Sequence, residues 1–303
     1  MPLKEKYKIA LTGLDEAGKT SILVVLNKKF DFMAEVENLS PTHRVSRDVT
    51  TYLGQKIYRW DYGGQSSYRE DYLAKRDDYF SGVSLLVYVV DVLDDERVAE
   101  AVDYFGQVTA YLSEASAEVP VSVFLHKCDP DVRETPQVAK RLIRLQEMLL
   151  SEAHGLHVDF YQTTIYDAFT VFRAMSHSLA RLFEKPQLIS AYLEDVASSL
   201  DLIALVVVDH NGLLVGEFYR PHLQAADREL FKGAYEDALR KLDGGELPFE
   251  VAGINALVQV VGIGGEKLLV VLAAAESAAF QDEKKVREVL SNLGQGLRDL
   301  LGV

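Results

Sequence analysis

Cysteine, tryptophan and positive charge are scarce in this chain. Of its 303 residues one is cysteine, Cys128, and one is tryptophan, Trp60, and 32 basic residues face 46 acidic ones for a formal charge of −14. A lone cysteine cannot close a disulfide within the chain or build a zinc cluster, so a reducing cytoplasmic setting is the expectation. An acidic surface repels nucleic-acid phosphates and anionic bilayers, which argues against a nucleic-acid partner. Long apolar runs are also missing: nothing approaches the ~18 residues of a membrane span, and the opening MPLKEKYKIALTG has no signal-type apolar stretch. With Pro2 where a myristoyl acceptor would be Gly, and Leu301-Gly302-Val303 at the other end, neither lipid anchor is expected, so any recruitment to a membrane would come through a partner protein.

What is present is ordinary folded material, 48% hydrophobic and 26% charged. At roughly 150 residues per domain the length suits two domains. Between residues 7 and 185 apolar runs (YKIALTG, IYRWD, LLVYVVDV, VSVFLHK, VDFYQTT) alternate with helical patterns near 19–29, 97–115, 136–153 and 167–184. That alternation predicts α/β architecture, a mostly parallel six-stranded sheet with helices on both faces. The mixed segment Val45–Tyr52 fits an edge strand, and the polar stretch from Glu35 to Arg47 reads as a mobile loop.

The last helix is expected to stop around Glu184-Lys185-Pro186, which divides the chain into 1–185 and 186–303. Past that point the order changes to a helix near 187–200, two strands joined by His210-Asn211-Gly212, a helix near 222–242, about three strands and a terminal helix near 280–301. The helix near 222–242 carries Leu223, Leu230, Phe231, Ala234, Tyr235, Ala238, Leu239 and Leu242 at helical spacing, so one face is expected to be buried. The terminal helix places Val286, Leu290, Leu293, Leu297 and Leu300 four and three apart; this spacing suits a partner seam, but two heptads fall short of a coiled coil and packing on its own sheet is the expectation. Gly262-Ile263-Gly264-Gly265 lies between two strand-like runs and reads as a hairpin turn.

Chemistry concentrates in the first part. Gly13-Leu14-Asp15-Glu16-Ala17-Gly18-Lys19-Thr20 matches G-x-x-x-x-G-K-[ST] after a strand and at the start of a helix, the context in which backbone N–H groups from Gly13 through Ser21 converge on phosphate oxygens. Lys19 would bridge the β and γ phosphates and Thr20 would bind magnesium. Asp61-Tyr62-Gly63-Gly64-Gln65 then closes a strand: Asp61 for magnesium, Gly64 for a γ-phosphate contact, Gln65 to orient the attacking water. Thr42, in the polar loop between, is the candidate second hydroxyl for magnesium. Arg44 and Arg47 read as solvated loop arginines and His154 and His157 as surface residues, while Cys128 reads as a passive loop residue.

The strand VSVFL runs into His126-Lys127-Cys128-Asp129. Asp129 can accept from both guanine N1–H and the 2-amino group, which adenine cannot offer, and Lys127 would lay its stem along the base. Thr163, Thr164 and Ile165, after the next strand, would shape the far side of the pocket. His126 stands where GTPases commonly carry Asn; a neutral imidazole also has one donor and one acceptor nitrogen and can do the same scaffolding.

Taken together the residues resemble the Rag/Gtr branch of the Ras-like small GTPases, with some Arf-like features. His-Lys-x-Asp at 126–129, Trp60-Asp-x-Gly-Gly-Gln65, the run EDYLAKRDDYFSGVSLLVYVVDV and Thr164-Ile165-Tyr166-Asp167 carry the resemblance, while the phosphate loop looks Arf-like. It implies that 186–303 is an α+β roadblock/longin-type domain used for homo- or heterodimerisation, and that the chain meets exchange proteins, activating proteins and effectors. The expectation is a switch binding Mg2+ with GTP or GDP, slow in hydrolysis because no arginine finger stands out in cis. Its rivals are a nucleotide-holding scaffold with negligible hydrolysis, and a P-loop ATPase or kinase.

Overall fold

In the computed structural model the described residues are 6–53, 55–116, 118–183, 186–221, 233, 235, 240, 250–251, 254–263, 266–274 and 283–301. The chain divides into two compact units, Met1–Thr51 with Gln55–Leu182, and Tyr52–Gly54 with Phe183–Val303.

The first unit holds β1 (Tyr7–Thr12), α1 (Lys19–Lys28), α2 (Met33–Glu37), β2 (Val45–Tyr52), β3 (Gln55–Tyr62), α3 (Ser66–Ala74), α4 (Arg76–Phe80), β4 (Val83–Asp91), α5 (Val98–Ala115), β5 (Val121–His126), α6 (Pro136–Ser151), β6 (Val158–Thr163) and α7 (Ala168–Ala180). Its six strands run in the order β2-β3-β1-β4-β5-β6, and β1 pairs in parallel with both β3 and β4, as β5 does with β4 and β6. Val45–Tyr52 lies on the edge, as its mixed composition implies. Residues 83–90 of β4 are buried, which is why that run reads as continuous apolar sequence rather than an alternation. Because the strand order reverses at β1, the loops after β1, β3 and β5 open on one crevice at the carboxyl ends of the strands, where ligands bind in such sheets.

The helices on this sheet follow their apolar spacing. In α6 Val138, Leu142, Leu145 and Leu149 are buried at steps of four, three and four; Pro136 stands in the first turn, and the Thr135 hydroxyl caps it by accepting from Val138 N–H at 3.4 Å. In α5 Tyr104, Phe105, Val108 and Leu112 enter the core, where Phe105 meets Tyr88 edge-on at 5.0 Å between ring centres.

Three short helices fall where no helix is legible in the sequence. The buried residues of α3 include Arg69 and Tyr72, so half of that face is a charged residue that an apolar count ignores. α2 has no buried residue and α4 spans five residues, so neither leaves a periodic trace. The end of α2 and the start of β2 both fall in the stretch 35–47 expected to be a loop, which shortens the irregular segment to residues 38–44.

The second unit contains α8 (Pro186–Ser199), β7 (Ala204–Val208), β8 (Leu214–Tyr219), β9 (Glu250–Val251), β10 (Ile254–Ile263), β11 (Glu266–Ala274) and α9 (Glu283–Leu301). Its sheet runs β8-β7-β11-β10-β9 with antiparallel pairs throughout. β7 and β8 form the hairpin expected around Asn211-Gly212, with Gly212 at φ 82° and Asp209 Oδ1 accepting from the N–H groups of Asn211 and Leu213. Gly216 in β8 leaves room for Ile189 and Leu193 of α8, whose atoms would lie 2.7 Å from an added Cβ. Ile263 pairs with Glu266 at the end of the β10–β11 ladder, while Gly264 and Gly265 of the expected hairpin turn lie outside the described residues. Leu293 and Leu297 of α9 are buried as expected, while most of the amphipathic pattern near 222–242 lies outside the described residues.

Candidate functional site

The loop after β1 rises from Thr12 and enters α1 at Lys19. Gly13 takes φ 145° and Gly18 φ 94°, both in the region that favours glycine, and Glu16 between them adopts φ 60°. A Cβ on Gly13 would lie 2.2 Å from the Val89 carbonyl, so the loop lies against β4 closely enough to exclude a side chain. Lys19 is buried and its ammonium donates to the carbonyls of Gly13 at 3.1 Å and Leu14 at 2.6 Å. Burial pulls it down to about 8, against the opposing pull of the Asp61 and Asp15 carboxylates.

Beside the lysine three chain segments meet. The Thr20 and Thr42 hydroxyls are 2.7 Å apart, and Asp61 Oδ2 accepts from both, at 2.9 and 3.1 Å. Asp61 Oδ1 is buried with no hydrogen-bond partner among the described residues. Burial raises the Asp61 carboxyl, and Lys19 and the two threonines work against that rise. Two hydroxyls and one carboxylate with an unused buried oxygen fit a hard divalent cation that takes oxygen ligands, magnesium among them. Among the described residues no group of three or more His, Cys, Asp or Glu could hold a metal, so any cation here would depend on hydroxyl oxygens.

The segments carrying Thr42 and Gly64 also hold each other. Gly63 N–H donates to the Arg44 carbonyl at 2.6 Å, Tyr72 Oη to the same carbonyl at 2.6 Å, and the His43 and Tyr68 rings lie 5.7 Å apart. The Gly64 carbonyl accepts from Asp15 N–H at 3.1 Å and from Arg69 Nε at 2.8 Å. A Cβ on Gly64 would fall 2.1 Å from Asp15 N, so only glycine permits this approach to the loop. Gln65 follows directly and is the residue before the first turn of α3.

The loop after β5 completes the crevice. His126 is 2% exposed, with Nδ1 2.9 Å from Thr163 Oγ1 and its ring against Gly18, whose added Cβ would be 2.4 Å from His126 Cδ2. Burial, with Lys127 adding to it, holds the imidazole down to about 3, so it is neutral at neutral pH. The histidine therefore joins the phosphate loop to β6, by contact on one side and a hydrogen bond on the other. Lys127, at φ 60°, donates to Asp91 Oδ2 at 2.7 Å, and the Thr164 hydroxyl donates to Asp129 Oδ1. Ser21 and Ile165 are partly buried near this network but enter it through no side-chain hydrogen bond among the described residues.

The structure adds groups that no motif announces. Arg97, before α5, pairs with Asp15 at 3.0 Å and Asp94 at 2.5 Å. Arg69 pairs with Glu100 and lies over the Tyr104 ring at 5.2 Å. Both arginines come from loops or polar helices without periodic signal, and only the fold brings them to the crevice. Arg47 is not simply solvated: it stacks on Trp60 at 3.9 Å, and the Lys8 ammonium also lies 3.9 Å from that ring. Arg44 has a side chain 60% exposed, 4.0 Å from Asp71. His157 is exposed and 3.2 Å from Asp159, while His154 Nδ1 lies near Thr109 Oγ1 and the Glu152 carbonyl. Cys128 is 3% exposed, and burial pushes its thiol up, away from reactivity.

Comparison with known proteins gives a consistent set of relatives. Residues 8–233 match the family described as "Gtr1/RagA G protein conserved region". The GTP-binding protein gtr1 of Schizosaccharomyces pombe is 25% identical over 219 residues, 71% of this chain and 68% of that protein. The human ADP-ribosylation factor-related protein 1 is 35% identical over 129 residues, 42% of this chain and 61% of that protein, so the chain spans less than two thirds of that relative. Among solved structures, the Arl6 BBS3 small GTPase of Trypanosoma brucei with bound nucleotide analogue GppNp is similar over 58% of this chain and 97% of that chain, at 18% identity and a TM-score of 0.46.

Proposed function

This chain belongs to the Gtr1/RagA family of G proteins, a Rag/Gtr-type GTP-binding protein of the Ras superfamily, and from that premise we propose that it is a slow, partner-regulated GTP switch. The observation that carries the reading is the meeting of Thr20, Thr42 and Asp61 beside Lys19, with one buried Asp61 oxygen left without a partner. In this reading the N–H groups of Gly13–Ser21 cradle the phosphates. Lys19 leaves the Gly13 and Leu14 carbonyls for the β and γ phosphates. Thr20, Thr42 and Asp61 would hold Mg2+, which when bound neutralises phosphate charge. Gly64 offers its N–H to the γ-phosphate and Gln65 orients the attacking water. Asp129 reads the guanine edge, Lys127 lies along the base, and Thr163, Thr164 and Ile165 close the pocket.

Because Thr42 and Gly64 belong to segments that already touch, through Gly63 and Arg44, a change at one is passed to the other. Hydrolysis would release both and alter affinity for effectors, with activating and exchange proteins setting the balance. The domains in this reading are 1–185, the GTPase, and 186–303, a roadblock/longin-type module for homo- or heterodimerisation. The five-stranded antiparallel sheet with α8 and α9 supports that assignment. Among the described residues no helix is long and apolar enough to cross a membrane.

Single-turnover hydrolysis tests the proposal. Wild type should turn over at about 10⁻⁴ to 10⁻² per second unaided, and Gln65→Leu should fall at least tenfold below it, to about the uncatalysed rate. Equal rates near the uncatalysed value would favour a nucleotide-holding scaffold, and preferential binding of ATP in competition would end the GTPase assignment.

A further inference from the structure

The phosphate loop contains two acids, Asp15 and Glu16, in a place where the proposed ligand brings several negative charges. Asp15 sits at the switch side of the loop, since its backbone N–H donates to the Gly64 carbonyl at 3.1 Å. Its carboxylate is held by Arg97: Nη1 meets Asp15 Oδ1 at 3.0 Å, and Nη2 reaches the Asp15 carbonyl at 3.5 Å and Glu16 Oε2 at 3.8 Å. The arginine is itself fixed at the other end. Its Nε donates to Asp94 Oδ2 at 2.5 Å and its backbone N–H to Asp94 Oδ1 at 3.2 Å. Asp15, Asp91 and Asp94 line a small open hollow in which Arg97 is the only basic lining residue among the described residues. A guanidinium can serve several acceptors at once, a geometry an ammonium cannot copy.

We propose that Arg97 is a positioning residue for nucleotide binding: its pairing with Asp15 holds the phosphate loop's own carboxylate away from the incoming phosphates and cancels its charge. The proposal rests on the guanine-nucleotide reading above. Without Arg97 the Asp15 carboxylate is free to swing toward the phosphate seat, where like charges at short range oppose binding. The side chains of Arg97 and Asp15 are 31% and 42% exposed, so solvent and salt moderate the effect, and it is greatest at low ionic strength.

The test is the affinity of the full chain for fluorescently labelled GDP, read as Kd at about 50 mM and about 300 mM salt. Arg97→Gln should bind roughly five- to twentyfold more weakly than wild type at low salt, with a smaller loss at high salt. Arg97→Lys, which keeps the charge but not the fork, should fall between the two. Asp15→Asn combined with Arg97→Gln should return to within about twofold of wild type, because the charge that Arg97 balanced is gone. A merely structural arginine cannot produce that rescue, since the double variant lacks it equally. Wild-type affinity in Arg97→Gln, or a double variant as weak as the single one, overturns the proposal. A wild-type chain that binds no labelled GDP overturns the guanine-nucleotide reading and this proposal with it.

Discussion

His126→Asn replaces the buried imidazole with the side chain more usual in such loops, and its effect on stability should depend on pH. His126 is 2% exposed and its burial holds the imidazole down to about 3, whereas the unfolded chain titrates near 6.5. As pH falls below about 6.5 the unfolded chain takes up a proton that the folded one refuses, so stability is lost with falling pH. Above that value the contribution is fully present; between about 6.5 and 3 it declines by about 1.4 kcal/mol per pH unit, hence about 2 kcal/mol by pH 5. Asn has no such titration. Its amide can occupy the place of Nδ1 and keep the Thr163 bond, but it leaves a gap where the ring edge meets Gly18, a loss of about 1–2 kcal/mol at pH 7. The variant should therefore be less stable than wild type at pH 7 and equal or better at pH 5. Urea unfolding followed through the fluorescence of Trp60, the single tryptophan and a residue of β3, measures this in the first unit. Carboxylate titrations are common to both proteins and cancel in the difference. A wild-type-minus-variant difference that stays constant from pH 7 to pH 5 refutes the argument.

Other perturbations address neighbouring parts of the site. Gly18→Ala combines φ 94° with a Cβ 2.4 Å from His126 Cδ2, so it should cost at least about 2 kcal/mol and lower Tm by roughly 4–8 °C; an unchanged melting curve would contradict that packing. Asp129→Asn exchanges an acceptor for a donor at the guanine edge and also disturbs the bond from Thr164, so GTP affinity should drop roughly 10- to 100-fold while xanthosine triphosphate gains; retained GTP affinity would mean the base is read elsewhere. Phe105→Ala removes a fully buried ring packed on Tyr88 and should cost about 3–5 kcal/mol in chemical denaturation without a change in the guanine-over-xanthine preference; a loss under 1 kcal/mol would show that the α5 contact is not a core contact.

The parts of the site carried by strand ends were readable because their rules are local. A phosphate loop needs glycine where φ is positive and a helix directly behind it, and both conditions are written within eight residues, Gly13 to Thr20. Likewise, Asp61 lies at the carboxyl end of β3 and Asp129 just past the apolar strand β5, so parallel-sheet geometry brings them to one edge. The assignment of His126 to scaffolding depended only on its two ring nitrogens, and the bond to Thr163 and the contact with Gly18 agree with that inventory. Arg69 and Arg97 escaped because a charged side chain in a polar helix or turn carries no periodic signal; its meaning lies in what it meets. Arg47 was read as solvated because it was taken for a loop residue, whereas it lies in β2, beside the strand β3 that carries the Trp60 ring.

By itself, then, the chain's order of residues determined the alternation of strands and helices, the glycine-bearing turn from Gly13 to Thr20 and the place of Asp129 just past β5, because each follows from neighbours within a dozen residues. Only the tertiary structure decided which charges are balanced against one another: the clasp of Arg97 on Asp15, the two donors on the Gly64 carbonyl, and the meeting of Thr20, Thr42 and Asp61. Those contacts join segments separated by five to 82 positions, and no local rule of spacing reports how closely a fold will press two loops together.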